Sequence, residues 1–489
     1  MDSPLNEILH PSDAASIAAF LAPRSIAVIG AAPAEQRSIR GMLLRVLRRA
    51  GFTGRIAPVN PSYREVNGLR CYPAIGAVKF PIDLAIIALP AELVCDVVEQ
   101  CVAAGVRAAI VISSGFAEES VAKAERQLRL SDIARRAGIR ICGPNCEGFY
   151  NVAGCVAATF SAAAEPSLSG STRNAAGGRV AIVAQSGGLG FSLFSRGRAA
   201  GLEIDHVVTT GNECDLTAVD FITHFAGDPG CAAIIAYLEE VRDFERFAAA
   251  AGRAQAAGKP VIVIKIGRSE AGRRAAVAHT ASDTGVATDF DAMFAATGVI
   301  AVADPDDAVA AALGRLTNPV AAGRRVGIVT TAGGAGTVLS ECLTEAGFSV
   351  PVLDQKLQAR LRPTFPSYGS AANPIDVTAQ GIFTGGVLQS LEVLLDGEDV
   401  DSVVLALSLS NERSISLDVA ALSALRARRS KPVLIYSYTL LSPFAREALS
   451  SAGFAVFERA RDLVVAMRAL STAGHDDRAS AFDSGAMAS

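Results

Sequence analysis

Three times along the chain a short aliphatic, β-branched run ends in a glycine-containing turn and gives way to an alanine- and leucine-rich stretch of helical period. The turns follow SIAVIG (residues 25 to 30), RVAIVAQSGGLG (179 to 190) and RRVGIVTTAGGAG (324 to 336). Strand, tight turn and helix in repetition is the rhythm of βαβ units, whose parallel strands require crossover helices on the sheet faces. The first series continues through RIAPVN, LAIIALP, AAIVIS and IRICGP, which predicts a doubly wound domain over residues 1–150. A second series runs from RVAIVAQSGGLG through IDHVVTTGN, AAIIAYLEE and KPVIVIKIG, giving a domain over 175–318. The third echoes the second, with Ala332 against Ser186 and Lys431 against Lys259, and predicts a further domain of the same flavodoxin-like type over 322–474. The remainder, 475–489, is polar and aperiodic and is expected to be disordered.

The totals narrow the function. Half of the 489 residues are hydrophobic, only 19% are charged and the formal net charge is -4. Neither a basic nucleic-acid footprint nor a polybasic membrane patch is expected from such a balance. MDSPLNEILHPSD has no basic stretch leading into an apolar one, and no apolar run reaches the roughly 20 residues that span a bilayer. A soluble cytoplasmic protein acting on small molecules is the expectation. The nine cysteines show no paired spacing with histidine that would hold zinc, so they read as reduced, mostly buried thiols and no metal site is expected.

A glycine turn that opens a helix after a parallel strand directs free backbone N–H groups and the positive end of the helix dipole at one point, which suits an anion. The same glycines also serve tight turns and close helix packing, so each turn alone is ambiguous. The first turn, GAAPAEQ, lacks the second and third glycines of a dinucleotide fingerprint, and its second strand ends APVNPSY without an acidic residue for a ribose. Nicotinamide chemistry is therefore disfavoured. His279, one of five histidines, lies in AAVAHTASDTG, a polar segment with no apolar stripe to bury. An imidazole on such a loop can act as base, ligand or phosphate carrier. Glu239, at the end of the strand AAIIAYLEE, stands at a carboxyl edge and could orient an imidazole, or could be a solvated strand-end carboxylate.

The ordered set PRSIAVIGA, PVNPSYREVNGLRCYP, DLAIIALPA, ISSGFAE, GPNCEG, VAIVAQSGGLG, YLEE, AHTASDTG, AGGAG and NPIDVT resembles the nucleoside-diphosphate-forming acyl-CoA synthetases. These include the ADP-forming acetyl-CoA synthetases and, more distantly, succinyl-CoA synthetase. The resemblance runs from about residue 11 to 474. It implies an α/β chain with a Rossmann-like CoA-binding domain followed by two flavodoxin-like succinyl-CoA-ligase-type domains. It further implies that His279 carries a phosphoryl group and that Glu239 holds its imidazole. One helix start, at Ser186, Gly187 and Gly188, and another, at Gly333, Gly334, Ala335 and Gly336, would clasp the phosphate between them. CoA would be met by Gly30, Ala31, Asn60, Pro61, Pro90, Ala91, Ser113, Gly115, Asn145 and Cys146, the last two near its thioester end. Ser62 stands where the family carries a basic residue, which makes Arg64 the candidate for a CoA phosphate. The family's Ser-His-Thr-Gly motif reads AHTA here: His279 and Thr280 match, whereas Ala278 and Ala281 depart.

The sequence shows no counterpart of the family's ATP-grasp module. ATP and Mg2+ are therefore expected on a partner beta-type subunit, in a hetero-oligomer or dimer, with a carboxylic acid as the other substrate. The rival expectation is a CoA-binding regulatory protein of the same fold in which the altered AHTA has ended phosphotransfer.

Overall fold

The computed structural model describes residues 11–36, 38–165, 178–267, 269–272, 274, 287–364, 366–411, 418–428 and 430–471. Residues 11–165 and 179–308 belong to one compact unit and residues 309–471 to a second.

In the first unit the strands Ser25–Ile29, Arg55–Val59, Leu84–Ile87, Ala108–Val111 and Arg140–Cys142 pair in the order second, first, third, fourth, fifth, all parallel. Every residue of SIAVI, LAII and AAIV is buried, as in strands covered by helices on both faces. The second sheet repeats that order with Arg179–Ala184, Ile204–Thr209, Cys231–Leu238, Val261–Lys265 and Ile300–Val302. Beyond its second strand it gains an antiparallel hairpin, Gly148–Asn151 and Val156–Thr159. In the second unit Val326–Thr330, Ile375–Asp376, Ser402–Leu407, Val433–Ser437 and Val456–Phe457 take the same parallel order a third time. The expected doubly wound α/β architecture is thus present in all three sheets.

This order reverses direction between the first and third strands, and ligands of open α/β sheets bind beyond the carboxyl ends at that crevice. All three glycine turns follow the first strand of their sheet. The lysine echo has a plainer cause. Lys259 Nζ donates to the carbonyls of Phe225, Ala226 and Asp228, and Lys431 Nζ to those of Leu394 and Gly397. Each ammonium caps the C-terminus of the last helix but one before it, Ala218–Gly227 or Gly386–Asp396, where the dipole favours a cation.

The chain passes from the first sheet to the second through residues 143–147, and a second loop is laced along this crossing. The amides of Asn212, Cys214 and Leu216 donate to the carbonyls of Pro144, Gly143 and Ile141 at 2.9, 2.9 and 3.0 Å. Asp215 Oδ2 accepts from the Ile141 N–H and from Arg140 Nε. A side chain at Gly211 (φ +57°) would place its Cβ 2.3 Å from the Pro144 oxygen and 2.5 Å from that of Asn145, so only glycine lets the loops meet. Behind them one apolar core spans both sheets, with Phe20 of the helix Pro11–Leu21 packed 5.3 and 5.9 Å, between ring centroids, from Phe149 and Phe221. All nine cysteines are free thiols and six are buried. Among the described residues no helix is long and apolar enough to cross a membrane, and no group of three or more His, Cys, Asp or Glu is placed to hold a metal ion.

Gly211→Ala and Gly138→Ala separate this contact from the general cost of a left-handed backbone. Gly138 (φ +68°) has open space around it, so alanine there should cost about 1–2 kcal/mol. At Gly211 the crossing loop must also move, and thermal denaturation should show at least roughly twice that loss.

Candidate functional site

A cavity of about 470 Å³ lies at this crossing, within the first unit. Asn145, Cys146 and Glu147 reach it from the first sheet, Ser186, Gly187 and Gly188 from the helix Gly187–Ala199, and Glu239, Glu240 and Arg242 from the end of Cys231–Leu238. Gly211, Asn212 and Glu213 close the side formed by the laced loop.

Glu239 is 5% exposed and its backbone is pinned from two directions. Its N–H donates to Gln185 Oε1 at 2.6 Å, and its carbonyl accepts from the buried Lys265 ammonium at 2.8 Å. Gln185 completes the clamp by accepting from the Glu240 N–H and donating to the Glu240 carbonyl, both at 2.9 Å. Ser186 is the N-cap of the helix, yet its side chain accepts no capping bond, so the first turn presents its amides to the cavity. Glu147 packs on that turn: a Cβ at Gly187 would lie 2.7 Å from Glu147 Cβ.

The walls are acidic. Glu213 Oε1 accepts from the Thr210 hydroxyl and the Ala218 N–H, each at 2.8 Å. Burial pushes its carboxyl above the ordinary range, against the pull of those donors. Burial likewise raises Glu147, opposed by the Ser161 side chain. Arg242 offsets part of this charge, pairing with Glu240 Oε2 at 3.0 Å and donating to the carbonyls of Glu213 and Asn212.

The candidate CoA residues all sit just beyond strand ends of the first sheet. Several are engaged with each other there. Asn60 donates to the Ala31 carbonyl and accepts from the Ser62 N–H, at 2.8 and 2.9 Å. The Ser113 hydroxyl donates to the Leu89 carbonyl and accepts from its N–H, and the Ser113 carbonyl takes the Asn145 N–H. Pro90 caps the helix Ala91–Ala103, and the Gly115 N–H donates to Glu118 Oε1 at 2.6 Å. Gly30 closes the first strand, with its N–H on the Val59 carbonyl, and Pro61 and Arg64 are exposed nearby. Asn145 donates to Asn212 Oδ1 at 3.2 Å. In the second unit Gly333, Gly334, Ala335 and Gly336 open the helix Gly333–Glu345, and Asp376 Oδ2 lies 3.0 Å from a Cβ built at Gly333. His279, with Ala278, Thr280 and Ala281, lies outside the described residues, as does 475–489.

Glu147, Gln185, Asn212, Glu213, Arg242 and Lys265 were not singled out by sequence. Their positions at or within four residues of a strand end are the available signal.

Family profiles match three consecutive segments: a CoA binding domain over 24–151, a succinyl-CoA ligase like flavodoxin domain over 177–313, and a Ligase-CoA domain over 326–407. The chain is 30% identical over 456 residues to the alpha subunit of ADP-forming acetate–CoA ligase II of Pyrococcus furiosus, covering 92% of this chain and 96% of that one. It is 32% identical over 386 residues to ADP-forming acetate–CoA ligase I of Archaeoglobus fulgidus, covering 79% of this chain but only 54% of that longer protein. The chain thus spans about half the length of that relative. A solved structure of dinucleotide forming acetyl-coenzyme A synthetase 1 from Ca. Korarchaeum cryptofilum, in complex with phosphate and ADP, superposes with a TM-score of 0.77 at 30% identity over 92% of this chain and 95% of that one.

Because the fold raises the Glu213 carboxyl, it favours the protonated form. That contribution is complete below the ordinary Glu value of about 4.3 and is lost as pH rises through the folded value. Glu213→Gln keeps an acceptor for Thr210 and Ala218 and cannot ionise. Its melting temperature should therefore gain on wild type as pH rises from about 4 to about 8; a constant difference would place the charge elsewhere.

Proposed function

Since the chain belongs to the ADP-forming acyl-CoA synthetases of the succinyl-CoA synthetase superfamily, we propose that it is an alpha-type subunit that makes acyl-CoA from a carboxylic acid and CoA by way of an acyl phosphate and a phosphohistidine at His279. The observation that carries this reading is the cavity at the crossing. It joins the last loop of the CoA-binding segment, the open start of the helix at Ser186–Gly188, and Glu239 held from both sides.

Each group has a distinct task. The amides at the helix start receive phosphoryl oxygens, where the dipole and free N–H groups favour an anion. The start at Gly333–Gly336 offers the same chemistry in its own unit. Glu239, whose backbone Gln185 and Lys265 fix, orients the His279 imidazole and fixes its tautomer. A neutral imidazole is a nucleophile near pH 7 and its phosphoramidate is labile enough to pass the group on. CoA suits the carboxyl edge of the first sheet, whose loops are tied together by Asn60 and Ser113 and carry the exposed Arg64. ATP and Mg2+ belong on an ATP-grasp partner, a reading supported by the near-complete match to a relative named as a subunit alpha. The two alanines of AHTA motivate the rival, a CoA-binding regulatory protein without phosphotransfer.

Two measurements test this. Incubated with its partner and γ-labelled nucleotide, the chain should gain acid-labile, base-stable label. His279→Ala should abolish it, while His206→Ala and His224→Ala retain it. Glu239→Gln should slow labelling by ~10² to 10⁴. Label that survives in His279→Ala, or none in wild type with an active partner, favours the regulatory reading. Calorimetry on the whole chain should show binding of CoA and none of NAD; the opposite result would remove the CoA assignment.

A further inference from the structure

Glu147 belongs to the loop that ends the first sheet but lies on the helix start of the second. A Cβ at Gly187 would fall 3.0 Å from Glu147 Oε2. The Glu147 N–H donates to Thr209 Oγ1 at 3.0 Å, which fixes where the side chain begins. In the cavity it follows Cys146, the proposed CoA side, and touches the helix start at Ser186–Gly188, the proposed phosphate side. The other ionisable groups on these walls are otherwise placed. Glu213 is bonded to Thr210 and Ala218, Glu240 is paired with Arg242, and Glu239 stands at the end of Cys231–Leu238 in the second sheet.

A thiol with a pKa of about 8.5 is mostly protonated at neutral pH, whereas the thiolate is the nucleophile, so thioester formation gains from a base at the meeting point. We propose that Glu147 is that general base, taking the proton of the CoA thiol as sulfur attacks the carbonyl of the acyl phosphate. This role rests on the function proposed above. The S–H bond breaks and its proton passes to a Glu147 carboxylate oxygen. The S–C bond forms, and the C–O bond to phosphorus-bound oxygen breaks with phosphate keeping the electron pair. No oxidant or reductant is involved, and the proton leaves Glu147 for water. Burial of the carboxyl, opposed by Ser161, raises its basicity towards the working pH.

The test uses the full chain without nucleotide, with CoA and a panel of acetyl, butyryl and phenylacetyl phosphates, following thioester and released phosphate. Glu147→Gln should lower kcat by ~10² to 10⁴ near pH 7, and the deficit should shrink as pH rises past the thiol value of about 8.5. Glu147→Asp should fall between the two. CoA affinity by calorimetry should stay within about threefold, which excludes misfolding. Infrared difference spectra of wild type against Glu147→Gln should show one carboxyl titrating above the ordinary Glu value of about 4.3. A Glu147→Gln rate within about threefold of wild type at pH 7, a faster rate, or an equal deficit at every pH would overturn the base role alone. A wild-type chain that binds CoA yet uses no acyl phosphate of the panel would overturn the proposed reaction as well.

Discussion

The backbone contact between Gly211 and the Pro144–Asn145 carbonyls is the constraint on which the site depends. The first two sheets have separate carboxyl edges, and each edge alone offers only part of a chemical centre. Because the loop 211–216 is laced along residues 141–144, the end of the first sheet is delivered to the switch point of the second. Asn145, Cys146 and Glu147 then face the helix start at Ser186–Gly188 across one cavity. The shared apolar core through Phe20, Phe149 and Phe221 makes that registration rigid.

One topology used three times explains where chemistry can sit. In each sheet the turn after the first strand falls at the crevice between the first and third strands, and in the second sheet Glu239 follows the third. Placing an acid at the end of a central buried strand is costly unless its surroundings are organised, and here Gln185 and Lys265 hold the backbone of a residue that is only 5% exposed. Such fixed second-tier contacts let a side chain act without reorganising.

What the sequence reveals follows from range. Strands such as SIAVI and VIVIK, and the turns after them, are periodic and local, so their order and type could be read directly. The hairpin Gly148–Thr159 could not: GFYN and VAAT are four residues each, lead into a stretch of small residues, and acquire meaning only by pairing with Ile204–Thr209. Glycine signals are intrinsically double. Gly190 and Gly336 each have a strand side chain within 3.1 Å of a built Cβ and Gly187 has Glu147 at 2.7 Å, which is packing, whereas Gly188, also on the cavity wall, has nothing within 4 Å. The lysine echo was visible as a repeat, but only the helix ends that Lys259 and Lys431 cap give its reason. Glu147 is unmarked because Thr209, which holds it, is 62 residues away along the chain, and Arg242 because the Glu213 carbonyl it binds is 29 residues away. His279 was singled out by its polar surroundings and by family resemblance, two signals that need no coordinates.

Under the proposed function, CoA meets the acyl phosphate in the cavity between the GPNCEG loop and the helix start at Ser186. Crystallography of the full chain soaked with CoA and inorganic phosphate tests this most directly. The thiol should enter the cavity beside Asn145, Cys146 and Glu147, with phosphate on the amides at Gly187 and Gly188. CoA bound with its thiol outside this cavity, or phosphate seated away from that helix start, would contradict it.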